Sequence, residues 1–495
     1  MSNGEYGFKD RLAPILQRFP AVERPAMHVH FKRKLGWTIA VLILYFVLSN
    51  VPLFGLSPDS IDLFAQYRAF FAGASGSLLL LGIGPIVTAS IVLQLLVGAD
   101  IIKLDLSNPR DQAIFQGGQK FLVLVMIVLT TLPQMVGANP YIKPDLGLAA
   151  SMGVDPSVLW WALFIQIFIG GVLIMFLDEI VSKWGIGSGV GLFIVAGVAQ
   201  ALVTGLLNWQ LDQGMPIGVI PRWIWIAQNM GTSELLSGEG FKFLLISGGV
   251  LALITTIIIF LLVIFFESTR VEIPLAHSAV RGARGKFPVK LIYASVLPMI
   301  LVRALQANIQ MVGMILARKG NTLLGVYDAA SGKPISGLMY YLNPIYSPYD
   351  WIPSLVHQNY PDIATWQIAM RLGCDLGLMV IGGMIFAVFW INTTNMGADA
   401  VAKQIQRSGM QIPGFRRDPR ILERVLERYI PKVTIIGGAL VGLLVVVANM
   451  LGTIGNASGT GILLAVSITY RLYEDIASEQ MMEMHPMIRG LFGKE

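Results

Sequence analysis

Ten apolar stretches divide the chain, at 35–54, 76–98, 121–137, 158–177, 187–207, 243–266, 291–311, 373–392, 433–452 and 458–473. About 20 apolar residues in a helix cross the roughly 30 Å of hydrocarbon in a bilayer. The pattern therefore predicts an all-α polytopic membrane protein with ten transmembrane helices. The second stretch, GSLLLLGIGPIVTASIVLQLLVG, is broken by Gly82, Gly84 and Pro85. Just before it, residues 62–75 (DLFAQYRAFFAGAS) are half apolar and too short to cross. They predict a half-helix that dips in ahead of a broken span. Irregular backbone at membrane depth survives only where protein or a water-filled cavity satisfies it. This region is expected to line a path.

Five stretches precede residue 210 and five follow residue 242. An odd number per half makes the halves cross in opposite senses, the arrangement of an inverted repeat with its path where the halves meet. The expected organisation is a cytoplasmic segment at 1–34, an N-terminal half at 35–207 and an external connector at 208–242. A C-terminal half at 243–473 and a cytoplasmic tail at 474–495 follow. Within the first segment, residues 6–20 mix apolar and basic positions and predict a helix lying in the membrane interface.

Composition agrees with the pattern. Charged residues are 13% of the chain, against roughly 25% in soluble proteins. Of the 36 Lys and Arg, 27 fall in the N-terminal segment, in every second loop and in the tail. The positive-inside rule places those segments, and both termini, in the cytoplasm. Two of the loops, 267–290 and 393–432, are strongly basic. They read either as orientation signals that touch anionic lipid or as docking surfaces for a large polyanion such as a ribosome. On the opposite face, 312–372 is long and rich in Tyr, Pro and Asn.

Candidate chemistry is sparse. Asp178, Glu179 and Asp375 stand at span ends, and all five histidines lie outside the spans. Ion-coupled carriers use intramembrane carboxylates or histidines as relays, so a secondary transporter is disfavoured. No HExxH or GxxxxGK[ST] occurs, and no metal, cofactor or catalytic residue is expected. Gly73-Ala74-Ser75-Gly76 spells a serine-protease-like motif, but no histidine base is at hand within a span. The cluster Gly185-Ile186-Gly187-Ser188-Gly189 reads as close helix contact rather than phosphate binding. The single cysteine, Cys374, precludes an intrachain disulfide. Arg303 is the exception inside a span. An arginine at a helix centre costs about 2.5–3.5 kcal/mol to insert, so it either faces water, a carbonyl or a partner, or snorkels to an interface.

Several motifs in order resemble one family: FKRKLGWT (31–38), LGIGPIVTASIVLQLLVGADII (81–102), LDEIVSKWGIGSGVGLFI (177–194), RVEIPLAHSAVRGARGKFPVK (270–290), ANIQ (307–310), SGMQIPGFR (408–416) and GTGILLAVSITYRLYE (459–474). The chain resembles the SecY family, in its archaeal form, nearly end to end. The resemblance implies a ten-helix clamshell with a pore between its halves. It implies a constriction ring at Ile83, Val87, Val190, Ile194, Ile300 and Leu464. It implies a plug at about 62–75, containing Tyr67, Arg68, Phe70 and Phe71. A lateral gate between spans two and three and spans seven and eight would carry the polar residues Thr88, Asn308 and Thr130. Ribosome docking falls on Arg281, Arg284 and Arg416. The implied partners are the SecE/gamma and Sec beta subunits, a translating ribosome, signal sequences and nascent polypeptides, and membrane lipid. Arg303 stands one turn from Ile300, where many relatives carry a small residue. It is expected to project into the aqueous funnel.

Overall fold

In a computed structural model, residues 20–484 are described apart from 28, 61–67, 99–100, 103, 105–108, 137–139, 213, 232, 234–236, 278–283, 291–295, 319–323, 329–332, 395, 408–409, 412–418 and 456. The interfacial helix expected at 6–20 and the end of the tail fall outside these residues.

Each of the ten apolar stretches contains a long helix. They are α1 (Phe31–Ser49), α2 (Gly84–Gly98), α3 (Pro109–Met135), α4 (Pro156–Trp184), α5 (Gly189–Leu207), α6 (Val250–Ser268), α7 (Leu297–Arg318), α8 (Thr365–Thr393), α9 (Pro419–Leu451) and α10 (Gly459–Met484). Local sequence sets several of the ends. Asp155 caps α4 by accepting from the Ser157 N–H at 2.8 Å, with Pro156 at the first helical position. Ser188 caps α5 through the Gly191 N–H. A cap oxygen satisfies an amide that the helix itself leaves unpaired.

In the first half, α1 packs on α4 and α5, and α3 packs on α2 and α4. In the second, α8 lies along α9, α7 packs on α8, and α10 packs on α6 and α9. The halves meet along two seams. At one, α5 packs on α10 and the chain just before α10. There a Cβ on Gly205 would fall 2.7 Å from the Cα of Gly455, so backbone touches backbone. The Thr255 hydroxyl donates to the Gly452 carbonyl, 2.7 Å away, and ties the same chain to α6. At the other seam, α2 faces α7 and α8. One large apolar cluster runs between the seams and takes residues from both halves.

The two basic loops contain strands that the hydrophobic pattern does not predict. Strands β1 (Arg270–His277) and β2 (Arg284–Lys290) form an antiparallel hairpin, and β3 (Met410–Gln411) adds to β1 at Ala276 and His277. The two loops are thus one three-stranded sheet. The second loop also holds a helix, Ala398–Arg407, packed on the first turns of α9. Val401, Ile405, Leu422, Leu426 and Ile430 form a small apolar core between them.

Candidate functional site: an apolar waist and a polar seam

The segment before α2 is non-helical from Ile83 back to Ala72 and folds over the start of the helix. Gly82 is left-handed, with φ +55°, and a Cβ there would lie 2.1 Å from the Phe71 carbonyl oxygen. Only glycine fits, because other residues both resist that φ and carry the clashing atom. The turn lets the Ile83 N–H donate to the Phe71 carbonyl at 2.7 Å. Phe71 ends a one-turn helix, Arg68–Phe71. This helix packs against α5 and α10. Two side chains hold the segment. The Tyr45 hydroxyl donates to the Ala72 carbonyl at 3.0 Å, and the Arg68 guanidinium donates to the Leu80 carbonyl at 3.3 Å. Phe71 and Ala72 are buried. Phe70 belongs to the same short helix, and Tyr67 lies outside the described residues.

The aliphatic residues expected at the ring belong, with Phe71, to the one apolar cluster that spans both halves. Ile83 and Val87, four residues apart, come from the head of α2. Ile194 and the partly buried Val190 come from α5, Ile300 from α7 and Leu464 from α10. Ile83, Ile194 and Leu464 have no exposed surface. The start of α5 is fixed by the Asp178 carboxylate, which accepts from the Val190 N–H at 2.8 Å. On the side of the basic loops a cavity of about 780 Å³ opens, with Val87, Val190 and Ile300 among its lining. Its polar lining includes Gln119, Ser182, Arg471 and Asp475, and most of the remainder is aliphatic.

At the second seam the Asn308 amide donates across from α7 to the Thr88 hydroxyl of α2, 3.0 Å away. The same amide donates to its own helix at the Ala304 carbonyl, and Thr88 donates back to the Gly84 carbonyl. The structure thus brings together two of the three polar residues expected at the gate. Thr130 is buried on α3, where its carbonyl accepts from Gln134 Nε2. The described polar tie between α2 and α3 is a different one, from Gln119 to Ser90 at 2.7 Å.

Arg303 corrects an expectation. It does not project into the funnel. It is fully buried, 3.0 Å from the Asp375 carboxylate and 2.6 Å from the Gln306 side-chain oxygen. Asp375 is not at a span end either: α8 begins at Thr365, and Asp375 lies buried ten residues inside it. Each charge makes the other tolerable, and the planar guanidinium matches the carboxylate. Gln306 donates to the Leu342 carbonyl, and Asp375 accepts from the Ile345 N–H. One turn before Asp375, Arg371 donates to the carbonyls of Asn343 and Pro344. The network therefore clamps residues 342–345 of the loop 312–372 onto α7 and α8.

At the sheet, Arg284 opens β2 opposite Ala276. Arg281 and Arg416 lie outside the described residues. The foot of the hairpin is tied to α10: Lys290 Nζ is 2.5 Å from Glu474 and sits 5.3 Å from the centre of the Tyr470 ring.

Such a structure defines a class: a polytopic membrane protein in two helical halves that meet along two seams over one apolar core. Comparison with known proteins agrees. A family model described as SecY matches residues 77–473, and one described as the plug domain of Sec61p matches residues 43–76. The protein translocase subunit SecY of Archaeoglobus fulgidus is 62% identical over 489 residues, covering 98% of both chains. That of Halobacterium salinarum is 57% identical over 493 residues, covering 98% of this chain and 99% of the relative. Among solved structures, a protein-conducting channel superposes with TM-score 0.76 at 37% identity, over 96% of this chain and 98% of the other. Sec61 from a canine ribosome–channel complex superposes with TM-score 0.73 at 36% identity, with the same coverage. The chain belongs to the SecY family.

Proposed function

We propose that the chain is the central, pore-forming subunit of a protein-conducting channel. It passes unfolded secretory polypeptides across the membrane and releases transmembrane segments sideways into lipid. The observation that carries this reading is the segment ending at Phe71, folded over the head of α2 through the Ile83 N–H and buried in one apolar cluster that takes side chains from both halves.

An aliphatic ring can seal around a passing chain without binding any one sequence, and a narrow dry waist resists ions and water. Ile83, Val87, Val190, Ile194, Ile300 and Leu464 form that ring in our reading. The 62–75 region, with Tyr67, Arg68, Phe70 and Phe71, is its plug. The α2 seam against α7 and α8 is the lateral gate, latched by Thr88 and Asn308, with Thr130 on the flanking α3. A signal sequence is an apolar helix, so a seam that opens to lipid lets it partition out. The sheet and the basic residues Arg281, Arg284 and Arg416 receive a translating ribosome. This face, with both termini, is cytoplasmic in the cell membrane, as the charge asymmetry supports. The single-span SecE/gamma and Sec beta subunits complete the channel. The channel is passive: it catalyses no reaction of its own.

Site-specific photocrosslinking tests the path. A photoreactive residue replaces Ile83 in one variant and the lipid-exposed Ile43 of α1 in another, in the complex engaged with a ribosome-arrested signal-bearing chain. Crosslinks from position 83 and not from 43 are expected. Equal crosslinking, or none from 83 while the ribosome is bound, would overturn the assignment.

A further inference from the structure

The connector between α5 and α6 exposes apolar surface where a water-facing loop would be polar. Trp209, Leu211 and Phe241 are 65%, 67% and 56% exposed. Helix Val219–Asn229 turns Val219 and Ile226 inward, while Ile220, Ile224 and Ala227 are exposed. Spaced by four and three residues, those three share one face. A surface helix in water carries polar residues on that face. Here polar groups take over only at the end, at Gln228 and Asn229.

The helix is not free to turn that face elsewhere. Arg222 donates to the carbonyls of Pro216, Ile217 and Ser247, at 2.9, 3.1 and 2.5 Å. Trp223 donates to the Gly248 carbonyl at 2.7 Å. These bonds fix the helix to the head of α6, which itself exposes Leu251, Ile254, Ile257 and Leu261 along a span. The tethers are short: the connector leaves α5 at Leu207 and enters α6 at Val250, with a second helix, Gly238–Ile246, ending four residues before. Tryptophan settles at the level of lipid headgroups.

We infer that the connector is an interfacial anchor: the Ile220/Ile224 face lies in the headgroup layer of the leaflet opposite the basic sheet. Its occupant is the bilayer, because the helix is held at the residues that lead into α6, whose lipid-exposed apolar side chains begin at Leu251. The connector also joins the two halves beside the α5–α10 seam, so any rotation about that seam moves it within the interface.

Spin-label depth measurements on the resting complex in phosphatidylcholine–phosphatidylglycerol vesicles test the inference. In a Cys374→Ala background, single cysteines at Ile220, Ile224 and Gln228 carry the label. Positions 220 and 224 are expected to show an oxygen-to-nickel-chelate accessibility ratio several-fold above position 228. Equal, nickel-accessible labels at all three would place the face in water and overturn the inference. Labels at 220 and 224 closed to both reagents would show that a protein partner or a second copy covers the face, and would equally overturn it. Neither outcome bears on the polypeptide path, which the crosslinks at Ile83 test separately.

Discussion

Replacing Asp375 with alanine removes one partner of a buried ion pair and leaves the Arg303 guanidinium without its counter-charge. The pair is 3.0 Å apart with neither side chain exposed. At an effective dielectric of about 20, two charges at that distance attract by roughly 5–6 kcal/mol. Dehydrating them costs several kcal/mol per ion, so the pair as a whole contributes little net stability. Removing one member is different, because the cost of the remaining buried charge stays. It destabilises by about 3–5 kcal/mol. Asp375→Ala should therefore lower the midpoint of thermal unfolding of the purified complex clearly. The double variant Arg303→Met with Asp375→Leu should regain most of the loss. Because Asp375 and Gln306 also hold the backbone at Ile345 and Leu342, the single variant should become sensitive to protease within 338–352 before global unfolding. A single variant as stable and as protease-resistant as the parent would refute the reasoning. So would a double variant no better than the single.

Three further outcomes follow from the site. Gly82→Ala places a methyl on the Phe71 carbonyl and forces φ away from +55°, so the plug should lift and resting ion conductance in planar bilayers should rise; an unchanged leak would contradict the packing described. Asn308→Leu removes a hydrogen bond worth about 0.5–1.5 kcal/mol across the seam, so export of a precursor with a weakened signal sequence should increase up to ~10-fold, and no increase would show that the bond does not latch the gate. Lys290→Glu and Glu474→Lys should each loosen the hairpin foot by at most about 1 kcal/mol, since the pair is partly exposed. Hydrogen exchange in β2 should quicken in each single variant and return to the parent rate in the charge swap; a swap that fails to restore it would rule out the ion pair as the tether.

The ten spans were legible as apolar stretches, although among the described residues only seven of the helices are long and apolar enough to cross by length and composition alone. Their ends were less so. The helix α9 begins at Pro419 rather than near 433, since RILERVLERYI reads as charged by composition although Leu422, Leu426 and Ile430 recur every four residues and are buried. That period was the available signal. The start of α8 was missed because Asp375 was read as a boundary, and a carboxylate inside a span makes sense only once Arg303 is seen beside it. The strands of the basic loops alternate too weakly to stand out, and β3 pairs with a segment more than a hundred residues away. The broken second span was visible in Gly82, Gly84 and Pro85. The ring was not: aliphatic residues in apolar helices look alike, and only the family resemblance singled out these six.

The two seams differ in kind, and the waist lies between them. Along the α5–α10 edge, Gly205 and Gly455 bring main chain against main chain, which leaves no slack. Along the other edge, α2 packs on α7 and α8 and a side-chain bond joins Asn308 to Thr88. If the halves rotate as the proposed function requires, a body so built would work as a lever with its fulcrum at the glycine edge. Any rotation then displaces the far edge more than the waist. The crevice toward lipid would widen furthest, and the axial aperture by a fraction of that travel. An apolar helix can thus test the hydrocarbon at rotations too small to let a polar strand through.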